Sequence, residues 1–420
     1  MKNKIIFNAD DFGISKGVNE AIFKAYNEGV LNSASLMVNQ KYATDALKLH
    51  EKMPNLNLGL HVNLTNEYPA AKPEDISLLV DKTGKFKNGF LKLFLLSLFR
   101  PRKFKQQVRT EVEAQILKAQ KLGASIYHID SHRHVHMIPS IFDVFEEMME
   151  KYNIKKTRVM NENVFMTLKT NKDKSWLFDG GIIKYALLLL FSMINSYKSK
   201  TYFYTMLYTC KLSKDKFASV HIPKGYDSVE VMIHPSMPFI DKEHKKDIFD
   251  DSVISAWRTK ELETLLDKSV LENFVFDAKY PFLWGVYKKV EEWWFKLNQK
   301  LRFLLVGGFN TVFAYLVFAL LFAAINLPYL WALIIQYFIT INVSVLTMRY
   351  YVFQSEGDFW KEFCKAWSVY IFMFLFNSVA LTFLVEICNL NELYAQALYL
   401  VISTIITYIL HKYFSFIRKN

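Results

Sequence analysis

The chain has 420 residues and a mass of 49.3 kDa, with 52% hydrophobic and 22% charged residues, which excludes both a single small module and an unfolded chain. Lys and Arg outnumber Asp and Glu by 52 to 40, a net charge of +12 that suits nucleic acid, anionic lipid or phosphorylated substrates alike. The three cysteines, Cys210, Cys364 and Cys388, stand too far apart for a disulfide framework or a CxxC zinc site.

In chain order, MKNKIIFNADDFG passes from two lysines through a short apolar run straight into acids. That leaves no room for a signal-peptide core, so an N-terminus that stays in the cytoplasm is expected. From there to about residue 290, short β-branched runs alternate with amphipathic ones: KIIFNA then VNEAIFKAYNEG, SASLMVN then ATDALKLHEKM, LNLGLHVNL, and RTEVEAQILKAQKLG before SIYHID. The alternation predicts a parallel sheet or barrel. Gly29 and Gly123 stand where helix ends are expected, and Pro139 is placed to open a helix. Two apolar segments, 89–99 and 182–194, are too short to span a bilayer and are followed by basic residues, among them Lys103, Lys105, Lys198 and Lys200. They are expected either inside the fold or at a membrane surface, flanking the mouth of the site this domain carries. Basic clusters beside apolar helices, with no recognised binding motif, argue against nucleic acid.

Residues 291–420 are of another kind, holding nine Lys/Arg and seven Asp/Glu against 43 and 33 before them. An uncharged run at 303–325 reaches about 34 Å as a helix at ~1.5 Å per residue, enough to cross a bilayer core. Similar runs follow at 329–348, 366–388 and 393–410, and four transmembrane helices are predicted. Basic residues collect before the first (Lys296, Lys300, Arg302), between the second and third (Arg349, Lys361, Lys365) and after the fourth (Lys412, Arg418, Lys419). The positive-inside bias then makes this a multi-pass protein of the plasma or inner membrane, with both termini and the large N-terminal domain in the cytoplasm.

Four of the ten histidines, His128, His132, His134 and His136, fall in HIDSHRHVH, at the end of an apolar strand and before the Pro139 helix. This is the C-terminal mouth of a βα unit, where imidazoles can meet a metal. At period two they would share a face with Asp130, although the later ones are expected to curl into the loop, so that not all reach one ion. Asp10 and Asp11 follow the first strand. Adjacent carboxylates there point in different directions, so that one can hold a cation while the other handles a proton, though a helix cap would use one of them structurally. His61 in GLHVNL and His234 in EVMIHP also sit near strand ends. Singly, each reads as a core or turn histidine; together with the acids and the cluster they converge on one rim.

Those four elements resemble the YdjC/ChbG family of carbohydrate deacetylases, whose marks are the N-A-D-D-F-G start, the G-L-H strand, the H-x-D-S-H-x-H-x-H segment and the late H-P, here across about residues 3–270. The resemblance implies an irregular (β/α) barrel, with Asp11, His61 and His132 as ligands of one divalent ion, zinc or magnesium. It also implies Asp10 as base and His234 as acid. His128 is the alternative ligand to His132, and His128, His134 and His136 are expected to contact substrate or to orient the ligands. Arg158 is expected to orient the base or to form a surface salt bridge, because RVMNE at 158–162 lacks the proline of the family's Arg-x-Pro-x-Glu. Ser236 stands where a glycine is usual after His-Pro.

The C-terminal part resembles the GtrA-like family of small four-helix proteins linked to moving polyprenyl-phosphate sugars, through LRFLLVGGFN at 301–310, Asn342 and RYYVF at 349–353. Gly307 and Gly308 would admit close helix contact, and Asn310 and Asn342 would mark a headgroup path. The expected protein is thus an α/β irregular barrel at 1–290 followed by an all-α four-helix membrane domain at 291–420. It would remove the N-acetyl group from a sugar, carried on a polyprenyl-phosphate carrier in the bilayer, and couple this to presentation or translocation. Two rivals are a sugar-binding barrel without turnover in a lipid-linked sugar transporter, and a membrane-anchored metallo-hydrolase that cuts another amide or ester.

Overall fold

Seven strands pair side by side, all parallel, in the order β5-β4-β3-β2-β1-β8-β6. Their ranges are β1 (Lys4–Phe12), β2 (Ser33–Leu36), β3 (Asn57–Val62), β4 (His128–Ser131), β5 (Lys156–Thr157), β6 (Thr201–Tyr204) and β8 (Ser228–Ile233), while β7 (Val220–Pro223) and β9 (Phe274–Ala278) form a small parallel sheet of their own. The computed structural model describes residues 4–171, 181–195, 197–217, 219–243, 250–279, 282–319, 321, 328–388 and 390–416. By its internal packing the chain divides into Met1–Trp284 and Gly285–Asn420.

The predicted alternation is realised by α1 (Lys16–Glu28), α2 (Ala43–His50), α3 (Phe90–Phe99), α4 (Pro101–Lys121), α5 (Pro139–Tyr152), α6 (Val164–Thr170), α7 (Gly181–Ile194), α8 (Pro238–Glu243) and α9 (Ala256–Leu266). Ser15 caps α1 by accepting the Val18 N–H at 3.1 Å, and Val18, Ala21, Ile22 and Ala25 recur on one buried face. Gly29 ends α1, and α5 opens at Pro139, as expected. Helix α4 buries a polar stripe at four-residue spacing. Gln107 accepts the Leu78 N–H, Glu111 accepts those of Ala70 and Ala71 (each 2.8 Å), and Gln115 brackets Asn63. The stripe ties down the loop that follows β3, the strand that carries His61.

The sheet curls into a half-barrel and does not close by strand pairing, because β5 and β6 are its two edges. A side chain bridges them instead. The Asn161 amide donates to the Thr201 carbonyl (2.9 Å) and accepts the Phe203 N–H (2.7 Å), offering β6 the donor and acceptor a neighbouring strand would provide. Asn161 directly follows Met160, which stands where the family's Arg-x-Pro-x-Glu has its proline, and the chain uses the stretch as a seam.

The two short apolar segments are α3 and α7. They pack on each other, Phe94 and Phe191 at 5.2 Å between ring centres, and both rest on the turn His132–Met137. They also have an exposed side, with Leu91, Phe99 and Met193 open to the surroundings.

In the second unit each of the four runs predicted to span forms a helix: after α10 (Phe282–Lys296) come α11 (Gln299–Ala319), α12 (Tyr329–Thr347), α13 (Phe359–Thr382) and α14 (Glu392–Leu410). Among the described residues, Gln299–Ala319 and Leu333–Phe353, 21 residues each, are long and apolar enough to cross a membrane. The end of the first predicted run, 322–325, and the basic residues Arg418 and Lys419 lie outside the described residues. Helix α10 has no counterpart among the predicted spans. It ties to the end of α12 through Trp294, whose indole N–H donates to the Tyr351 carbonyl at 2.9 Å. Gly307 and Gly308 do not mediate close helix contact, because a Cβ at either would find nothing within 4 Å. Arg349 bonds Glu362 at 2.8 Å and the Gly357 carbonyl, pinning the connection between α12 and α13.

The seam can be tested directly. Asn161→Ala removes two hydrogen bonds worth about 1 kcal/mol each, so thermal unfolding of the purified protein should show a loss of about 2 kcal/mol, with the C-terminal helices unaffected.

Candidate functional site

Every sequence-predicted site residue except His128 lies at or beyond the C-terminal end of a parallel strand, the end at which such sheets gather ligand sites. The two acids arrive through an irregularity in β1. Ala9 pairs with Ala34 and Phe12 with Leu36, so three steps along β1 match two along β2, and Asp11 takes up the extra residue with φ 66°. Aspartate tolerates this left-handed conformation better than most side chains. The expectation that Asp10 and Asp11 point apart therefore fails. The bulge turns both inward, to 3.9 and 3.5 Å from the same His61 Nε2.

His61 is held from behind. Its Nδ1 lies 2.7 Å from Asp130, an acceptor, so Nδ1 carries the proton and Nε2 faces Asp10 and Asp11. Burial would lower the His61 pKa, but Asp130 and then Asp10, with the contact to Asp11, outweigh it and push it up to about 10. An imidazole nitrogen aimed at carboxylates calls for a positive charge between them, supplied by a proton or a cation. His132 opens the turn after β4, with its Nδ1 2.9 Å from Asp11 and its Nε2 3.4 Å from the Asn66 amide. One donor atom each from Asp11, His61 and His132 lies within 4.8 Å of the others, so these three side chains could hold a metal ion; Asp10, His61 and Asp130 form a second such group. Burial would raise the Asp11 pKa, yet Arg258, at 2.7 Å, and His132 hold it well below the usual carboxylate range.

Arg158 is buried, 4% exposed, which removes the surface salt bridge from consideration. It grips both oxygens of Asp10 (2.7 and 2.8 Å), reaches Asp130 at 2.7 Å and donates through Nε to Glu230 at 2.7 Å. Asn8 adds a bond to Asp10 at 2.9 Å. His234 follows β8, its Nε2 3.8 Å from Asp10, and the Glu261 carboxylate accepts its backbone N–H. Burial would lower the His234 pKa, but Cys210 and Glu261 raise it well above the ordinary imidazole value.

The remaining histidines divide. The turn His132–Met137 carries Arg133 and His134 at φ 59° and 56°, which breaks the strand periodicity after Ser131. His136 is fully buried. Its Nε2 meets the Arg158 carbonyl (3.2 Å) and must donate, so its Nδ1 accepts from the Ser131 hydroxyl (2.7 Å). Burial lowers its pKa to about 4 and keeps it neutral. His128, at the start of β4, bonds Ser35 at 3.0 Å and lines a cavity of about 40 Å³ at the opposite, N-terminal ends of the strands. Its ring fits because residue 59 is glycine, since a Cβ there would lie 2.1 Å from His128 Nε2. His134 lies edge-on to Phe203, and among the described residues no hydrogen bond engages its ring.

The YdjC-like protein family matches residues 4–274, and the GtrA/DPMS transmembrane domain matches 302–416. The chain belongs to the YdjC-like family. A carbohydrate deacetylase of Thermoanaerobacter pseudethanolicus is 32% identical over 272 residues, 64% of this chain and 92% of that protein. One of Clostridium beijerinckii is 28% identical over 271 residues, covering 64% and 94%, and one of Brevibacillus brevis is 38% identical over 151, covering 36% and 57%. Within this YdjC-like domain, sequence reasoning missed Asn8, Ser35, Glu230, Arg258 and Glu261 as supports of the site. Asn8 had a signal as the first residue of the N-A-D-D-F-G start and Glu230 as the first of EVMIHP, and Asp130 had one in its place inside the histidine cluster. Arg258 and Glu261 come from α9, far along the chain and without a motif.

Asp130 carries a measurable consequence. In chelator-treated protein, NMR titration should find His61 protonated up to a pH near 10, and Asp130→Asn should lower that midpoint, because the neutral amide no longer stabilises the imidazolium.

Proposed function

We propose that the first unit hydrolyses the N-acetyl group of a sugar carried on a polyprenyl phosphate, in a chain that crosses the membrane several times with both ends in the cytoplasm. The observation that carries this reading is the meeting of Asp11, His61 and His132 around one point, with Asp10 and His234 beside it. The deacetylase relatives support the reaction, and the GtrA/DPMS match supports the lipid-linked substrate. The basic clusters at Lys296–Arg302 and Arg349–Lys365 support the orientation.

A divalent ion held by Asp11, His61 and His132 would polarise the acetamide carbonyl and acidify an attacking water, and two imidazoles among three donors favour a transition ion such as zinc over magnesium. The protein's own groups do the rest. Asp10 takes a proton from the water, its carboxylate aimed by the two-pronged Arg158 grip. The water oxygen bonds to the acetyl carbon and the carbon–nitrogen bond breaks. His234, held protonated by Cys210 and Glu261, gives its proton to the departing amine, so acetate leaves and the sugar keeps a free amino group. Asp130 fixes the His61 tautomer, and His136 fixes the backbone of Arg158. His134, whose ring makes no hydrogen bond among the described residues, is the histidine of the cluster available to the substrate.

Acetate release should be faster from polyprenyl-phosphate N-acetylhexosamine than from a free chito-oligosaccharide; equal use of the two would remove the lipid linkage. Asp10→Asn should cut kcat by about 10²- to 10⁴-fold with bound metal unchanged by elemental analysis. Asp11→Asn or His61→Ala should lose the ion itself. The alkaline limb of kcat/KM should lie above the ordinary imidazole range, since the acid form of His234 persists until the pH passes its raised pKa. Glu261→Gln removes a charge that raises that pKa and should move the limb to lower pH.

A further inference from the structure

Helix α3 of the first unit turns outward the kind of face that a helix in water hides. Leu91, Leu95, Leu98 and Phe99 share one side of it at helical spacing; Leu95 and Leu98 are half-buried, while Leu91 is 67% and Phe99 70% exposed. Its one hydroxyl goes the other way, since Ser97 is buried and donates to the Phe94 carbonyl at 2.6 Å. A helix that faces water does the reverse. Beside it α7 buries Tyr185, Leu188 and Phe191 and leaves Met193 exposed. Phe90 and Phe94 of α3 both meet the Phe191 ring, at 6.2 and 5.2 Å between centres, so the two helices form one apolar lip. Each is too short to span a bilayer.

Charge around the lip has one sign. Residues 82–110 hold nine Lys or Arg and no Asp or Glu, and residues 180–214 hold five and none. Lys105 and Arg109 are paired, with Asp143 and Glu147. Lys92, Arg100, Arg102 and Lys103, in and just after α3, and Lys198 and Lys200, after α7, are exposed, and among the described residues no ion pair engages them. An apolar patch rimmed by such cations fits an anionic lipid surface, which takes Leu and Phe at the acyl boundary and ammonium and guanidinium groups among its phosphates. We propose that α3 and α7 dock on an anionic bilayer as an interfacial lip of the YdjC-like unit. Both helices rest on the turn His132–Met137, so docking holds the rim that carries His132 and His134 at the headgroup layer. The use of that placement in turnover rests on the reading of a lipid-linked substrate, whereas the docking itself does not.

The test uses the full chain in nanodiscs that contain a phosphatidylcholine with a diazirine in its acyl chain, with labelled peptides mapped by mass spectrometry after irradiation. In discs of phosphatidylglycerol, label is expected on the peptides of α3 and α7 as well as on those of the second unit. In discs of phosphatidylcholine, the α3 and α7 label should be at least about fivefold lower, the factor that a single basic residue contributes near an anionic surface. Leu91→Glu combined with Phe99→Glu should cut the α3 label at least about tenfold, because two apolar side chains no longer enter the layer. Unchanged circular dichroism and unchanged label on the second unit would certify that this variant folds, and the comparison of the two lipids needs no variant. Label confined to the second unit, equal label in the two lipids, or label insensitive to the substitutions would each overturn the proposal. So would spontaneous crosslinking of Phe99→Cys between two copies, which would make the lip a subunit interface. Photolabelling requires no turnover, so loss of the deacetylase reading would appear separately, as absence of acetate release from any glycoside.

Discussion

One guanidinium holds the catalytic rim of the first unit together. Asp10 from β1, Asp130 from β4 and Glu230 from β8 would bring three carboxylates into one buried space, and Arg158, just after β5, touches all three. Like charges this close, screened by little water, would drive one another to protonate or force the strands apart. With Arg158 present, burial still raises Glu230, but Asp130 is held ionised, because Arg158 and His61 outweigh its desolvation. Ionised Asp130 then sets the tautomer of His61, and the direction of the His61 Nε2 follows. The position of Arg158 depends in turn on His136, whose ring holds its carbonyl. A histidine with no reach to substrate thus acts on the chemistry through a backbone atom.

The two units handle polarity in opposite ways. In the YdjC-like unit charge is concentrated and paired, with Arg158 and Arg258 each meeting buried carboxylates. In the second unit Arg349 and Glu362 pair at the α12–α13 connection, while among the described residues the groove lined by Gln336, Thr340 and Ser344 offers neutral hydrogen-bonding groups. In a low-dielectric layer ionised groups would cost on the order of several kcal/mol each.

Much of the site was legible because its residues arrive as short motifs at strand ends. Asp10-Asp11, His61, the histidine cluster and His234 each follow or end a β-branched run, and parallel sheets bring such ends to one side. Less legible was direction. Strand periodicity sends Asp10 and Asp11 to opposite faces, and only the bulge at Asp11 reverses that. The same periodicity overstated the cluster, where the left-handed pair Arg133-His134 ends the alternation and leaves His128 and His136 bonded to Ser35 and to Arg158. In the second unit, the paired glycines read as a contact surface and turned out to border open volume.

By itself the amino-acid sequence determined the division into a charged α/β part and an apolar helical part, the parallel alternation, and the acids and imidazoles available for chemistry. These follow from composition and from periods of two and 3.6, which are local properties of the chain. Tertiary structure alone decided which nitrogen of His61 is free, that Arg258 and Glu261 from α9 reach Asp11 and His234, and that an asparagine side chain joins the sheet's two edges. Such contacts link residues up to 247 positions apart, and their geometry depends on how whole elements pack, which no local period encodes.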